Sequence, residues 1–409
     1  MSSDISSKSK YKHFISYIKD KIDKLKKLSG VVDKKTPISF ELSEFMQQAD
    51  TALKALPQEH KKLYELKPAS EEFFVNREVE IGKLENSFEN WIKNRFVTCA
   101  IVGEKGCGVS SMLDSFLRKI PKTETIRANL DEKIYTDEKY FYFFNSLLKT
   151  KDIKSNKELI DFLNSIDENK IIILENLHHM FLKKVGSFKS MEMLFELISH
   201  TTKTVLWIGV FTPQTWNYLD KTIAISNYFT SKIVMQELSY ETIKEIIFKR
   251  IDYKSTKIEF VPNEETLKSK SFQAINKEKK QIFLQEKFFK LLHKLSNGNI
   301  SLAQLYWIRS ISTIADGALS IKEIDDFDHS FIKNFSQETL FTLQALILHD
   351  GLTINDFAFI MHKSVTECRK TLMPMLEKGL LIQPRKKYNI NPAIYKSVYD
   401  YLSSKNFIH

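Results

Sequence analysis

The sequence predicts an α/β fold in which a doubly wound parallel sheet is followed by a helical region and a C-terminal module of helices and a β-hairpin. In residues 73–238, short and almost wholly apolar runs alternate with helical stretches, which is typical of strands buried on both faces of a parallel sheet. From residue 239 onwards helical periodicity dominates. The chain has only 11 glycines in 409 residues, and three of them fall between positions 103 and 108. Clustered glycine indicates a backbone that bends sharply or approaches another group closely.

Composition excludes several classes of protein. With 43% hydrophobic and 27% charged residues, the chain has the composition of a folded protein. No run of about 18 uncharged apolar residues occurs, so we expect no spanning helix. Three cysteines cannot form a disulfide framework, and a reducing compartment, the cytoplasm, is expected. The net charge of +10 suits an acidic partner, either nucleic acid or anionic lipid.

Residues 1–30 are predicted to form a basic amphipathic helix. The segment holds eight Lys against three Asp, and its apolar residues recur at helical spacing. We expect this helix to dock on protein, while a peripheral position on a membrane surface stays an open alternative. Residues 31–72 are predicted to be a polar linker with a short helix near 43–56.

Five apolar runs in residues 73–238 are predicted to be the strands of the α/β domain. They are Phe96–Gly103, Thr125–Leu130, Lys170–Asn176, Thr204–Phe211 and Ser231–Leu238. Residues 239–330 are predicted to form a helical lid with helices at Ser239–Arg250, Gln281–Leu295 and Ile300–Ile314, and with an exposed loop at Lys268–Lys280.

The C-terminal residues 331–409 are predicted to form a winged helix. Helices are expected at Gln337–His349, Ile354–His362 and Val365–Lys378, followed by a hairpin with strands Leu380–Gln383 and Tyr388–Asn391. In a winged helix the third helix can enter a major groove while the hairpin tip contacts phosphate. Candidate nucleic-acid-binding residues are therefore Thr366, Arg369, Lys370, Arg385, Lys386 and Lys387. Docking on a protein is the alternative use of such a module.

The glycine cluster matches the phosphate-binding loop G-x-x-x-x-G-K-[ST] at every position except that of the lysine, where Val109 stands. Glycines let backbone N–H groups converge on phosphates, and the following helix N-terminus adds partial positive charge. In this motif the lysine bridges the outer phosphates and a hydroxyl, here that of Ser110, ligates Mg²⁺. The candidate cofactor-binding residues are Gly103, Glu104, Lys105, Gly106, Cys107, Gly108, Val109, Ser110 and Ser111.

A second candidate group ends the apolar run KIIILEN, about 65 residues after the loop. Glu175 stands where ATPases with this loop hold Mg²⁺ through water, and Asn176 stands where many of them carry a second carboxylate. An amide can orient a water molecule but cannot accept its proton. His178 and His179 follow, and we interpret them as structural residues because neighbouring side chains point to different sides of a helix.

The chain resembles an AAA+ or STAND-type ATPase of the Cdc6/ORC-like branch over roughly residues 73–400. Phe74-Val75-Asn76-Arg77-Glu78, followed by Leu84, is similar to the entry helix of that branch, with Asn76 in place of glycine. The segment Ser296–Ser301 is similar to the start of its second sensor helix, with Ser301 at the arginine position. The resemblance implies ATP or ADP as ligand, with Mg²⁺, an adenine site beside Arg77, and Thr212 as first sensor.

Three departures from the family pattern predict weak or absent ATP hydrolysis. Val109 replaces the loop lysine, Asn176 replaces a carboxylate and Ser301 replaces an arginine. The leading hypothesis is a degenerate nucleotide-binding regulatory or scaffolding subunit that assembles with itself or with a protein partner. The alternatives are a Cdc6/ORC-like DNA-binding protein and an active ATPase that uses Lys105 in place of the missing lysine.

Overall fold

The computed structural model describes residues 73–408 except 76, 185, 252–256, 316–317 and 325–328. The predicted helix in 1–30, the linker 31–72 and Asn76 lie outside the described residues. Among the residues that the structure describes, no helix combines the length and apolarity needed to cross a bilayer.

The α/β domain is built on one parallel sheet, as predicted. Its strands are β1 (Thr98–Val102), β2 (Glu124–Asn129), β3 (Lys170–Glu175), β4 (Val205–Phe211) and β5 (Ser231–Val234), in the order β2-β3-β4-β1-β5. The helices of this domain are α1 (Glu78–Ile92), α2 (Val109–Lys119), α3 (Asp137–Leu148), α4 (Asn156–Asn164), α5 (Lys189–Thr201) and α6 (Pro213–Ile223).

Helices cover both faces of this sheet because successive residues of each strand point to opposite faces and both sets are apolar. In β3, Ile171 and Ile173 pack in one cluster with α1 and α2, whereas Ile172 and Leu174 pack in the other with α3 to α5. All four side chains are at most 1% exposed. The doubly wound α/β fold is therefore confirmed.

The lid region differs from the helical prediction because it contains a small sheet. Its helices are α7 (Tyr240–Arg250), α8 (Glu264–Lys268), α9 (Lys270–Gln273), α10 (Lys277–Ser296) and α11 (Ile300–Ser310). Its strands are β6 (Lys257–Val261), β7 (Ile311–Ala315) and β8 (Ala318–Lys322), in the order β6-β8-β7.

Two predictions in the lid are wrong. The helix expected to reach Ile314 ends at Ser310, because the β-branched residues Ile311, Thr313 and Ile314 pair with β8 instead. The loop expected at Lys268–Lys280 holds α9 and the first turn of α10, and Ser269 caps α9 by accepting from Phe272 N–H.

The C-terminal region contains the three predicted helices, α12 (Gln337–Leu348), α13 (Ile354–Met361) and α14 (Val365–Glu377). The hairpin strands β10 (Leu381–Ile382) and β11 (Lys387–Ile390) are joined by a third, unpredicted strand, β9 (Leu352–Thr353), in the order β10-β11-β9. A final helix, α15 (Pro392–Ser404), follows. A strand of two residues carries no periodic signal, which explains why β9 was missed.

The C-terminal region packs directly on the α/β domain. The Thr215 hydroxyl on α6 donates to the carbonyl of Leu348 on α12 at 2.7 Å. The rings of Tyr135 and Phe359 lie 5.5 Å apart. This contact brings the turn after α12, with His349 and Asp350, to the edge of the sheet where β1 and β3 end.

Candidate functional site

A cavity of about 420 Å³ lies at the carboxyl ends of β1, β3 and β4. One side is polar and consists of the glycine loop and the ends of three neighbouring strands, β2, β3 and β4, with Asn129, Glu175, Asn176 and Thr212. The other side is largely apolar and is lined by Phe73, Phe74, Val75, Leu238, Ile246 and Ile300. All nine predicted loop residues, Gly103 to Ser111, line it.

The loop keeps an open, curved backbone that only glycine adopts readily. Gly106 and Gly108 have φ angles of +83° and +98°. A Cβ added at Gly106 would lie 2.7 Å from the Cβ of Ser301, whereas one at Gly108 would meet nothing within 4 Å. Two of the clustered glycines are therefore required by backbone conformation, and Gly106 also by the close approach of the lid.

The lid holds the loop at two points. The Ser301 N–H donates to the carbonyl of Gly106 at 3.2 Å, and the Asn299 amide donates to the carbonyl of Lys105 at 2.8 Å. Ser301 thus lies beside the loop, where the resemblance places it, but as a short neutral side chain.

Val109 is the first residue of α2 and packs against the apolar cluster that lies between the sheet and the helices α1 and α2. The N–H groups in the first turn of a helix have no intrahelical acceptor and carry partial positive charge. The first turn, with Val109, Ser110 and Ser111, lines the cavity. The anion-attracting backbone is therefore present, while the side chain at the lysine position is directed to apolar packing.

Arg77 is buried beside the glycine loop and donates to its backbone. It is 4% exposed and donates to the carbonyls of Cys107 at 3.0 Å and Gln236 at 2.6 Å, and it is paired with Glu80 at 3.0 Å. The predicted residue thus borders the cavity, and its guanidinium is engaged by protein acceptors.

Ser110 and Glu175, the two residues predicted to hold Mg²⁺, lie within hydrogen-bond distance of each other and share a third partner that the sequence did not indicate. The Ser110 hydroxyl donates to Glu175 Oε2 at 2.7 Å, and Arg127 Nε on β2 donates to Oε1 at 2.6 Å. Arg127 is also paired with Asp114 at 2.5 Å. The only signal in the sequence was a lone cation in the predicted strand Thr125–Leu130.

This arrangement decides how well the site fits its expected ligands. A polar, glycine-lined end and an apolar end fit a nucleoside polyphosphate. The Mg²⁺ prediction fits poorly, because both oxygens of Glu175 accept from protein donors and Arg127 neutralises the carboxylate. We therefore assign no step to a magnesium ion.

Asn176 and Thr212 line the cavity at their predicted places, but neither can act as a base. Asn176 has φ +55° and donates through its amide to Asn129 Oδ1 at 2.6 Å. The Thr212 and Thr215 hydroxyls are 2.8 Å apart. Lys105, the alternative to the missing lysine, is paired with Asp350 of the C-terminal region at 3.0 Å.

Arg250 on α7 is a cavity residue that sequence reasoning missed. It is 7% exposed and its guanidinium lies 5.8 Å from the centre of the Phe73 ring. A cation at the end of a helix otherwise rich in apolar residues was the only signal. Arg250 brings positive charge to a cavity that lacks the loop lysine.

The predicted nucleic-acid residues fall into two groups. Thr366, Arg369 and Lys370 are exposed on α14, and Lys386 is exposed at the hairpin tip. Lys387 instead donates to the backbone carbonyl of Asp131 on the α/β domain, and Arg385 lies 3.9 Å from the Asp131 carboxylate. Of the three tip residues only Lys387 is therefore held against the α/β domain, because Arg385 and Lys386 are both exposed.

No family model matches the chain, and no curated protein sequence matches it. Its fold is similar to solved structures. The ORC1 protein of Aeropyrum pernix in complex with DNA has 11% identity and a TM-score of 0.43, with 87% of this chain and 96% of that chain covered. Cdc6p of Pyrobaculum aerophilum has 12% identity and a TM-score of 0.44, with 84% and 98% covered.

The RuvB Holliday junction branch migration motor of Thermotoga maritima is also similar, at 14% identity and a TM-score of 0.36, with 82% of this chain and 98% of that chain covered. Likeness at this level does not assign a function.

Proposed function

We propose that the protein is a nucleotide-binding relative of AAA+ and STAND-type ATPases with weak or no ATP hydrolysis, which acts as a regulatory or scaffolding subunit. The observation that carries this proposal is a cavity with a glycine loop at one end and apolar side chains at the other, in which an aliphatic side chain stands at the lysine position. ATP or ADP is the expected ligand.

Binding is supported by the parts of the site that do not need the lysine. The backbone of the loop and the first turn of α2 supply N–H donors and partial positive charge for phosphate. Phe73, Phe74 and Ile246 supply an apolar surface for a base. Arg250 adds a cation to the cavity wall.

Weak hydrolysis is supported by four side chains. Val109 cannot stabilise the charge that develops on the transferred phosphoryl group, and Ser301 cannot replace an arginine there. Asn176 cannot take a proton from water, and the carboxylate of Glu175 is held in an ion pair with Arg127. The alternative of an active ATPase that uses Lys105 has less support, since Lys105 is paired with Asp350.

A regulatory role is supported by the contacts that join three parts of the chain at the loop. Asn299 and Ser301 from the lid and Asp350 from the C-terminal region all contact residues of the loop. A ligand that binds one arrangement of these parts better than another shifts the population between them. A protein partner or a second copy of the chain would bind one arrangement in preference to the other.

The proposal is tested by titrating the purified full chain with ADP and ATP in a calorimeter and by measuring phosphate release in parallel. We expect saturable binding of both nucleotides and phosphate release at the rate of the buffer blank. Glu175→Gln serves as the matched variant, and it should leave phosphate release unchanged. Turnover that Glu175→Gln abolishes would overturn the pseudo-ATPase, and absence of any binding would overturn the nucleotide site.

DNA binding is a second candidate function, favoured by the exposed Thr366, Arg369 and Lys370 on α14. Phosphate contacts by Arg369 and Lys370 predict affinity that falls steeply with salt and a shallower slope in the double alanine variant. A mobility assay at two salt concentrations checks this, with Lys268→Ala as a control for an exposed lysine in the lid. Identical slopes for the wild type and the α14 variant would count against a DNA interface on this helix.

A further inference from the structure

His178 and His179 occupy a short 3₁₀ turn, Leu177–Met180, directly after β3 and Asn176. Both side chains are buried, at 1% and 3% exposure. Neither ring nitrogen of His178 has a hydrogen-bond partner among the described residues, and neither does Nε2 of His179. Buried polar atoms are nearly always satisfied, so an imidazole with two unpartnered nitrogens points to a missing partner.

A carboxylate from a distant part of the chain faces these rings. Asp350 follows α12, and its Oδ2 lies 4.0 Å from His178 Nε2. One ligand atom from each of His178, His179 and Asp350 lies within 4.8 Å of the other two. The two histidines lie in a 3₁₀ turn, and their ring centres are only 4.8 Å apart, so the side chains do not point to different sides as expected from the sequence. The purely structural interpretation made from the sequence omitted Asp350.

The tautomer of His179 suits a metal ligand. Its Nδ1 lies 2.5 Å from the carbonyl oxygen of Leu130, so Nδ1 carries the proton and donates it. The lone pair of this ring is therefore on Nε2, the atom without a protein partner. An outer hydrogen bond of this kind fixes ring orientation in metal sites.

Three lysines, Lys105, Lys133 and Lys387, lie close to this cluster and oppose a metal ion. Lys105 is paired with Asp350 at 3.0 Å, and a metal would have to share or displace that contact. The Lys105 side chain is 71% exposed, so solvent can replace Asp350 as its partner. Lys133 is buried and donates to the carbonyl of His349 at 2.7 Å, while Lys387 donates to the carbonyl of Asp131.

We propose that His178, His179 and Asp350 form a binding site for a divalent transition-metal ion, with Zn²⁺ as the representative ion. Two imidazoles and one carboxylate are a common ligand set for zinc, with a fourth position left to water. The bound ion would join the end of β3 to the C-terminal region and so fasten that region beside the glycine loop. This proposal does not depend on nucleotide binding.

The test uses the full chain after treatment with EDTA and gel filtration, titrated with Zn²⁺ in a calorimeter. We expect one equivalent to bind and the midpoint of thermal unfolding to rise with Zn²⁺ concentration. Asp350→Asn keeps the size of the side chain and suits the φ of +48° at this position, and it should weaken binding more than tenfold. His178→Leu should do the same. His200→Ala, at an exposed histidine on α5, should leave the affinity unchanged.

Co²⁺ supplies a readout that a structural role would not produce. With the wild type we expect visible d–d absorption of a four-coordinate site, which is lost in Asp350→Asn. Since His178→Leu can impair folding, Asp350→Asn is the deciding variant, and its unfolding midpoint in EDTA verifies the fold. Failure of the wild type to bind either ion, or equal affinity in wild type and Asp350→Asn, would overturn the proposal.

Discussion

At the scale of single residues, Val109 is the position where the chain departs most clearly from a working phosphate loop. Its backbone occupies the first turn of α2, while its side chain joins the apolar cluster between the sheet and the helices α1 and α2.

The loop residues themselves were predictable from sequence, because they are contiguous and glycine marks them. Arg127 and Arg250 were not, because their roles depend on contacts with residues far away in the chain.

Restoring the lysine should restore affinity before it restores catalysis. A charge-assisted contact to phosphate contributes roughly 1.5–3 kcal/mol, so Val109→Lys should tighten ADP binding roughly ten- to hundredfold. Phosphate release should stay at background, because Asn176, Ser301 and the Arg127–Glu175 pair remain. Calorimetry and a phosphate assay measure the two effects.

Val261→Lys is the matched control for this substitution, since it adds the same charge at a half-exposed position on β6 outside the cavity. Equal gains in both variants would mean that net charge, and not the loop, sets affinity. An unchanged affinity in Val109→Lys would mean that phosphate does not lie on the first turn of α2.

At the scale of elements, the strands of the parallel sheet were predictable because each is apolar on both faces. The small sheet in the lid was missed although β6 and β8 alternate in burial, because each strand is only five residues long and the polar residues in each break the continuous apolar run that marks the strands of the large sheet. The register of β7 with β8 depends on pairing partners that local periodicity does not reveal. The cavity, in turn, depends on how α7 and α11 approach the loop, which only the assembled fold fixes.

Two glycine substitutions separate backbone strain from helix propensity. Gly106→Ala meets both a φ of +83° and the side chain of Ser301, so we expect loss of ADP binding and a lower free energy of unfolding. Gly82→Ala lies within α1 with no atom within 4 Å of the new Cβ, so it should raise the free energy of unfolding by about 0.5–1 kcal/mol. Chemical denaturation and calorimetry measure these effects. Retention of ADP affinity in Gly106→Ala would show that the loop geometry does not govern binding.

At the scale of the whole molecule, the C-terminal region is held on the α/β domain by a few specific polar contacts. The buried Thr215 hydroxyl donates to the carbonyl of Leu348, and Lys133 donates to the carbonyl of His349 at 2.7 Å. These contacts place Asp350 beside Lys105 of the loop. The C-terminal region therefore contacts a residue that lines the cavity.

Thr215→Val tests this interface with little change in volume. The substitution leaves the buried Leu348 carbonyl without its donor, and we expect a loss of about 1–3 kcal/mol in the free energy of unfolding. Thr222→Val, at an exposed hydroxyl on the same helix, should change it by less than about 0.5 kcal/mol. Urea denaturation compares the two. Equal effects would contradict a specific role for the α6–α12 contact.

The most direct test of the central claim follows the fate of bound nucleotide. The full chain is loaded with ATP, separated from free nucleotide by rapid gel filtration, and sampled over hours for nucleotide released by acid. Retained nucleotide that remains ATP is the predicted result, since the loop can hold a polyphosphate without the groups that cleave it. Conversion of the retained ATP to ADP faster than in the blank, or recovery of protein without nucleotide, would contradict a site that holds ATP without cleaving it.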